Sequence, residues 1–149
     1  MNVNTEGLSL RPADDEALDA VERLLRENEL PAADVRAKSD CFYVAILDEE
    51  RVGVGGIESV PPDGLLRSVV VEESKRGLGL GGVLCDRLEA RARADGVETV
   101  YLLTTTAADF FAARGYEEID RVEAPTAVRE TSQFQGLCPS TAVCMRKRL

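Results

Sequence analysis

Apolar positions Leu18, Val21, Leu24 and Leu25 recur at helical spacing inside an acidic, alanine-rich stretch, which predicts an amphipathic helix over about Asp14–Asn28 with one buried face. A short strand is predicted before it, at about Gly7–Arg11, and a short second helix after it at Ala32–Ala37, where Pro31 suits a first helical turn because it has no amide hydrogen to lose. The period then changes to two. Cys41–Leu47 is rich in β-formers, Asp48–Glu50 reads as a turn, and Arg51–Val60 completes a hairpin. Pro61-Pro62-Asp63-Gly64 signals another reversal, followed by a third hairpin strand at Leu65–Val71. The chain next crosses Glu72–Gly82 into a helix at about Val83–Ala94, stops at Asp95-Gly96 and re-enters a strand at Thr99–Leu103. Strand, helix and strand in succession predict a right-handed crossover between parallel strands. A short helix at Ala107–Ala113 closed by Gly115, a strand at Tyr116–Arg121, a helix at Ala124–Phe134 and a last strand at Thr141–Arg148 complete the reading. The fold class is α/β (α+β by some schemes), with a mixed, mostly antiparallel sheet flanked by helices.

A chain of 149 residues has room for one domain, 1–149, and apolar and charged fractions of 44% and 30% are ordinary for a globular fold. Met1–Arg11 has no basic start followed by an apolar run, and no apolar stretch approaches the roughly 20 residues that span a bilayer, so a cytoplasmic protein without membrane partners is expected. The formal charge of −9 and the acidic runs Asp14–Glu16, Asp48–Glu50, Glu72–Glu73 and Glu117–Glu118 argue against nucleic acid, which calls for a basic face. Histidine is absent, which excludes Cys/His zinc sites, Ser-His-Asp triads and Cys-His nucleophile pairs together. No divalent metal is expected, and any acid or base must be a carboxylate, tyrosine, thiol, amine or water. Cys41, Cys85, Cys138 and Cys144 are irregularly spaced and read as reduced thiols.

Against that background the segment Lys75-Arg76-Gly77-Leu78-Gly79-Leu80-Gly81-Gly82 stands out because it lies between a strand and a helix. Such a turn aims helix-start amides outward, and with the positive end of the helix dipole and the side chains of Lys75 and Arg76 it suits a pyrophosphate. Glycine is needed where a Cβ would block positive φ angles and the approach of phosphate oxygens. Three anion-binding patterns compete. A triphosphate P-loop fails, because Val83 and Leu84 occupy the lysine and hydroxyl positions after Gly82. A dinucleotide fingerprint is formally met by Gly77, Gly79 and Gly82, but it should open the first βαβ unit rather than follow three antiparallel strands. The pattern R-x-x-G-x-G is met by Arg76, Gly79 and Gly81 directly after a strand. A flexible connector is the bland alternative.

With "LLRSVVVEESKRGLGLGGVL", the following parallel strand and "FFAARGY" in this order, the chain resembles the GNAT acetyltransferases over nearly its whole length. The resemblance implies acetyl-CoA as co-substrate, a small-molecule amine as acceptor, and a parallel strand pair, Leu65–Val71 and Thr99–Leu103, splayed to hold CoA. In that arrangement the pantetheine arm pairs with backbone near Val69, Val70 and Val71, and the amides from Gly77 through Leu78, Gly79, Leu80, Gly81 and Gly82 grip the pyrophosphate. A homodimer is left open. The strings "LLRSVVV", "YLLTTTAADFFAARGY" and "FQGLCPSTAVCM" are further similar to a small branch of N-acetyltransferases associated with arsenic resistance.

The implied reaction needs a group that takes a proton from the amine and a donor that polarises the thioester carbonyl, the latter a backbone amide near Val69. Glu58, ending the second hairpin strand at the expected substrate mouth, is the first choice of base; an exposed strand-end charge is the alternative. The family often has a tyrosine in the short helix after the parallel strand, to serve the leaving thiol. Phe110-Phe111 stands there instead, which leaves Tyr116, Tyr101, a water or solvent, with Phe111 lining the donor's side. Thr104-Thr105-Thr106 replaces a common asparagine; Thr104 can hydrogen-bond pantetheine, and Thr106 can cap the next helix. Arg67, in an otherwise apolar strand, either faces the cleft as a clamp for an acidic substrate or pairs with a carboxylate in the sheet. Two rivals to catalysis are an acyl-CoA-binding module with little turnover and a thiol-based arsenic-binding protein using Cys138 and Cys144.

Overall fold

The computed structural model describes residues 7–149. In chain order its elements are β1 (Ser9–Pro12), α1 (Asp15–Glu27), β2 (Phe42–Leu47), β3 (Glu50–Val60), β4 (Asp63–Val71), α2 (Leu80–Ala94), β5 (Thr99–Thr104), α3 (Ala108–Ala113), β6 (Glu117–Ile119), α4 (Thr126–Arg129) and β7 (Val143–Arg148). The seven strands form one mixed sheet in the order β1-β2-β3-β4-β5-β7-β6. Its parallel pair is β4 and β5, joined through α2 as the sequence predicts. Their register runs from Asp63 opposite Thr99 to Leu65 opposite Tyr101. The described chain divides into two compact units, residues 7–57 with 68–90 and residues 58–67 with 91–149.

In the first unit α1 starts where Asp14 caps it, its carboxylate accepting from the Ala17 amide at 2.8 Å. The helix buries Leu18, Val21, Leu24 and Leu25 against Phe42, Val44, Val54 and Val70. Each of these large side chains contributes about 1.5–3 kcal/mol on leaving water. The helix expected at Ala32–Ala37 does not form: the segment makes turns, with Val35 N bonded to Ala32 O and Lys38 N to Asp34 O. Six residues give too few bonds to offset nucleation. Val35 is instead buried in the same core, and Arg36 ties the segment to Asp19 and Glu22 of α1.

The second unit packs Leu65, Tyr101, Ala124 and Val128 together, with Val60, Ile119 and Phe134 against them. Here the helix expected at Ala124–Phe134 is also corrected. Only Thr126–Arg129 is α-helical, after Pro125, and Gln133–Leu137 forms a wide turn with Cys138 N bonded to Gln133 O, ending at Gly136 with φ 129°. A proline at the entry and a left-handed glycine at the exit leave one helical turn between them. The first and last strands are displaced by one to two residues from their predicted bounds, to Ser9–Pro12 and Val143–Arg148.

Candidate active site

β4 ends at Val71, and the chain then makes a single 3-10 turn, Glu73–Lys75, before reaching Gly77 and Gly79 at φ 82° and 78°. These are the two positions where the turn needs glycine, since a side chain in this region strains the backbone. A Cβ built on either would meet nothing within 4 Å, so the space beside both glycines is open. α2 begins at Leu80 rather than at Val83, with the Val83 amide on Gly79 O at 3.4 Å. The amides of Leu80, Gly81 and Gly82 therefore lie in the first helical turn, ahead of the intrahelical ladder. Leu80, Leu84 and Leu88 are buried and hold this helix start in place. The turn fits a pyrophosphate: left-handed glycines, open space and helix-start amides follow one another.

The two cations beside the turn are engaged locally. Lys75 Nζ lies 2.6 Å from Glu50 Oε2, and the pairing holds that carboxyl below its ordinary pKa. Arg76 Nε donates to Val71 O at 3.1 Å and its Nη2 to Asn28 Oδ1 at 2.8 Å, linking the end of β4 to the C-cap of α1. An open cavity of about 820 Å³ is lined by Asn28, Glu72, Ser74 and Arg76 among others. Of the expected pantetheine-pairing residues, Val70 is buried in the first core while Val69 and Val71 are half-buried.

Ser68, within β4, has φ 60°. A left-handed, non-glycine residue inside a strand stores strain, and such strain clusters at functional sites. The sequence carries no signal for it: serine between arginine and valine reads as ordinary strand.

Glu58 is not an exposed strand-end charge. Its side chain is 6% exposed and that of Arg67 0%, with Arg67 Nη1 3.1 Å from Glu58 Oε2. Of the two readings of Arg67, pairing with a carboxylate in the sheet is the arrangement present. Thr104 Oγ1 accepts from the Ala107 amide at 3.0 Å and so steadies the entry to α3. The helix N-cap is Ala107, without a side-chain bond, so the expected Thr106 cap does not form. Phe111 and Tyr116 are buried edge to face at 5.5 Å, and Lys147 Nζ stands 5.6 Å from the Tyr116 ring centroid. Tyr101, the other tyrosine considered, is buried, which pushes its phenol above the ordinary range, with Asp63 adding to the effect. Cys138 and Cys144 are buried; Cys138 Sγ donates to Gln133 Oε1, and burial pushes the Cys144 thiol to about 11. Among the described residues no three His, Cys, Asp or Glu side chains gather as a metal site, and no helix is long and apolar enough to cross a membrane.

The model of the acetyltransferase (GNAT) family matches residues 9–119, a span that includes the glycine turn and the start of α2. The chain belongs to that family. An amino-acid acetyltransferase of Ectopseudomonas mendocina (strain ymp) is 41% identical over 72 residues, 48% of this chain and 17% of that protein. The chain thus spans about a sixth of the length of the curated relatives it matches. Among solved structures, N-acetylglutamate synthase from Neisseria gonorrhoeae, complexed with coenzyme A and N-acetyl-glutamate, superposes with a TM-score of 0.77 at 20% identity, over 95% of this chain and 35% of that one. Rv2747 from Mycobacterium tuberculosis, in complex with CoA and NLQ, gives 0.74 at 22% identity over 95% and 99%. At these identities the likeness is one of fold.

Proposed function

We propose that this GNAT chain acetylates the amine of a small, amino-acid-type molecule. The observation that carries the donor half is the Gly77–Gly79 turn, left-handed at both glycines, with open space beside each and running into the start of α2. The acceptor class is supported by the relatives, named amino-acid acetyltransferases, and by the fold neighbour that holds N-acetyl-glutamate. Bound there, acetyl-CoA supplies a thioester whose C–S bond breaks as the amide C–N bond forms.

The chain's own groups then divide the work. Amides of Gly77–Gly82 hold the pyrophosphate, and backbone at Val69–Val71 steers the pantetheine and offers an amide to the carbonyl. Arg76 also serves the pyrophosphate after leaving Val71 O and Asn28. Glu58 takes one proton from the acceptor ammonium and passes it to solvent. Tyr116 gives its phenolic proton to the thiolate and regains one as the nitrogen loses its second proton on becoming an amide. Within the acceptor class, amino-acid-like arsenic and phosphorus compounds belong to the same reading, since they present the same amine. A thiol-based arsenic site is disfavoured by the burial of Cys138 and Cys144 and by the raised Cys144 pKa, because the thiolate is the ligand form.

The test is a thiol-release screen of purified protein with acetyl-CoA and a panel of amines: proteinogenic amino acids, their arsenic and phosphorus analogues, simple alkylamines and peptides. Release above the no-acceptor rate only with amino-acid-type acceptors is expected. Acetyl-CoA binding by calorimetry without release across the panel would instead establish a binding module.

A further inference from the structure

Among the described residues, Arg67 and Glu58 form an ion pair whose two side chains are both buried. Glu58 lies two residues before Val60, and Arg67 two after Leu65, and both of those apolar side chains belong to one core cluster. Alternation along a strand therefore sets the two charges on the face of the sheet that carries that cluster. A buried ion pair is rarely more stable than apolar residues of the same volume, so its value is more often the geometry it fixes. Directly after Arg67 comes the left-handed Ser68, which breaks the regular alternation of β4.

We propose that Arg67 is a positioning residue, which fixes the plane and rotamer of the Glu58 carboxylate so that it meets the acceptor ammonium. This rests on the reading of Glu58 as the base. A glutamate at a strand end has three rotatable bonds, and a base must come within hydrogen-bond reach of the proton it removes. The Nη1–Oε2 contact at 3.1 Å supplies the missing constraint. The guanidinium does so as a planar donor, which the point charge of a lysine reproduces only in part. Arg67 acts through Glu58 and leaves the proton transfer itself to the carboxylate.

A double-mutant cycle tests this with acetyl-CoA and whichever acceptor the screen returns. E58Q, R67M, R67K and E58Q/R67M are assayed for kcat and acceptor KM, and calorimetry with acetyl-CoA counts the folded, binding-competent fraction of each. R67M is expected to lower kcat per competent site nearly as far as E58Q, at least about 10²-fold for loss of a general base. R67K should restore part of that loss. In the E58Q background R67M should change kcat by less than about twofold, the mark of two residues acting as a unit. The proposal is overturned if R67M lowers kcat by the same factor in both backgrounds, if its loss falls on acceptor KM alone, or if R67M keeps the parental kcat. Should R67M fail to fold, R67K is compared in both backgrounds on the same criteria. A neutral E58Q would remove the base reading first, and the positioning role with it; a damaged E58Q beside a harmless R67K and R67M would remove only the positioning role.

Discussion

Gly53→Ala tests whether the segment of β4 that leads to the glycine turn is as rigidly seated as its packing indicates. A Cβ on Gly53 would stand 2.7 Å from the Val70 carbonyl oxygen, 3.3 Å from Leu84 Cδ2 and 3.4 Å from Val71 Cα. Two of these three atoms are backbone of β4, so relief requires the strand itself to move. Forcing a methyl into a packed site costs about 1–3 kcal/mol, and a contact under 3 Å with backbone argues for the upper half of that range. Gly55→Ala is the internal control. Its Cβ would meet Leu88 Cδ1 at 2.5 Å, which is closer, yet the obstacle is the tip of a side chain that can rotate. The expected order of urea stability is wild type, then Gly55→Ala, then Gly53→Ala. Because Val70 and Val71 immediately precede the turn, Gly53→Ala should also weaken acetyl-CoA binding in calorimetry, and Gly55→Ala should do so less. A Gly53→Ala protein as stable as wild type, or less destabilised than Gly55→Ala, would refute the claim that β4 cannot shift here.

Gly79→Asp should abolish the heat of acetyl-CoA binding while keeping the fold by circular dichroism at some cost in stability: its side chain meets no atoms but is strained at φ 78° and adds a negative charge at the pyrophosphate position. Asp63→Asn should stabilise the protein at neutral pH. Burial, and secondarily Glu98, raise the Asp63 pKa in the folded state, so its ionisation destabilises the fold as pH rises from the ordinary carboxylate range through the raised value; the gain should vanish in melts below about pH 4, where the unfolded aspartate is protonated as well. Cys144, its thiol pushed to about 11 and its side chain buried, should resist maleimide at pH 8 in the native protein and react once urea is added. Exhaustive EDTA treatment should leave acetyl transfer intact; a loss restored by one specific metal would contradict the site as described.

The parts of the fold that were legible are those where one local rule acts alone. The face of α1 follows from four apolar positions, and the β4–α2–β5 crossover follows from strand, helix and strand in succession. The segments that misled are those where tertiary contacts decide. Around Val35 a helix-compatible stretch is pinned as turns by one buried valine and by Arg36 on α1, neither visible in local propensity. At 124–138 the sequence reads as one helix over Ala124–Phe134, whereas Pro125 and Gly136 bound two separate turns, Thr126–Arg129 and Gln133–Leu137, with Ala124, Val128 and Phe134 packed in the second core. For Lys75 and Arg76 the residue types pointed to an anion, while their neighbours Glu50 and Asn28 lie 25 and 48 positions away and carry no marker.

The pairing of Glu58 with Arg67 was closer to hand than these. β3 ends at Val60 and β4 begins at Asp63, and pairs counted outward from the two residues between them would set Glu58 across from Leu65, with Arg67 on the adjoining diagonal of the same face. The four-residue turn read from Pro61-Pro62-Asp63-Gly64 would set Glu58 directly across from Arg67. Either length preserves parity, and parity alone decides the face. What the alternation could not supply was depth: a glutamate at a strand's end is usually wet, and here Leu65, Tyr101 and the segment carrying Ala124, Val128 and Phe134 pack as one cluster on that face. A carboxylate that is surface charge in the pattern becomes a buried, oriented base candidate only because residues more than sixty positions downstream fold onto the strand, which is why its chemistry has to be tested together with its partner's.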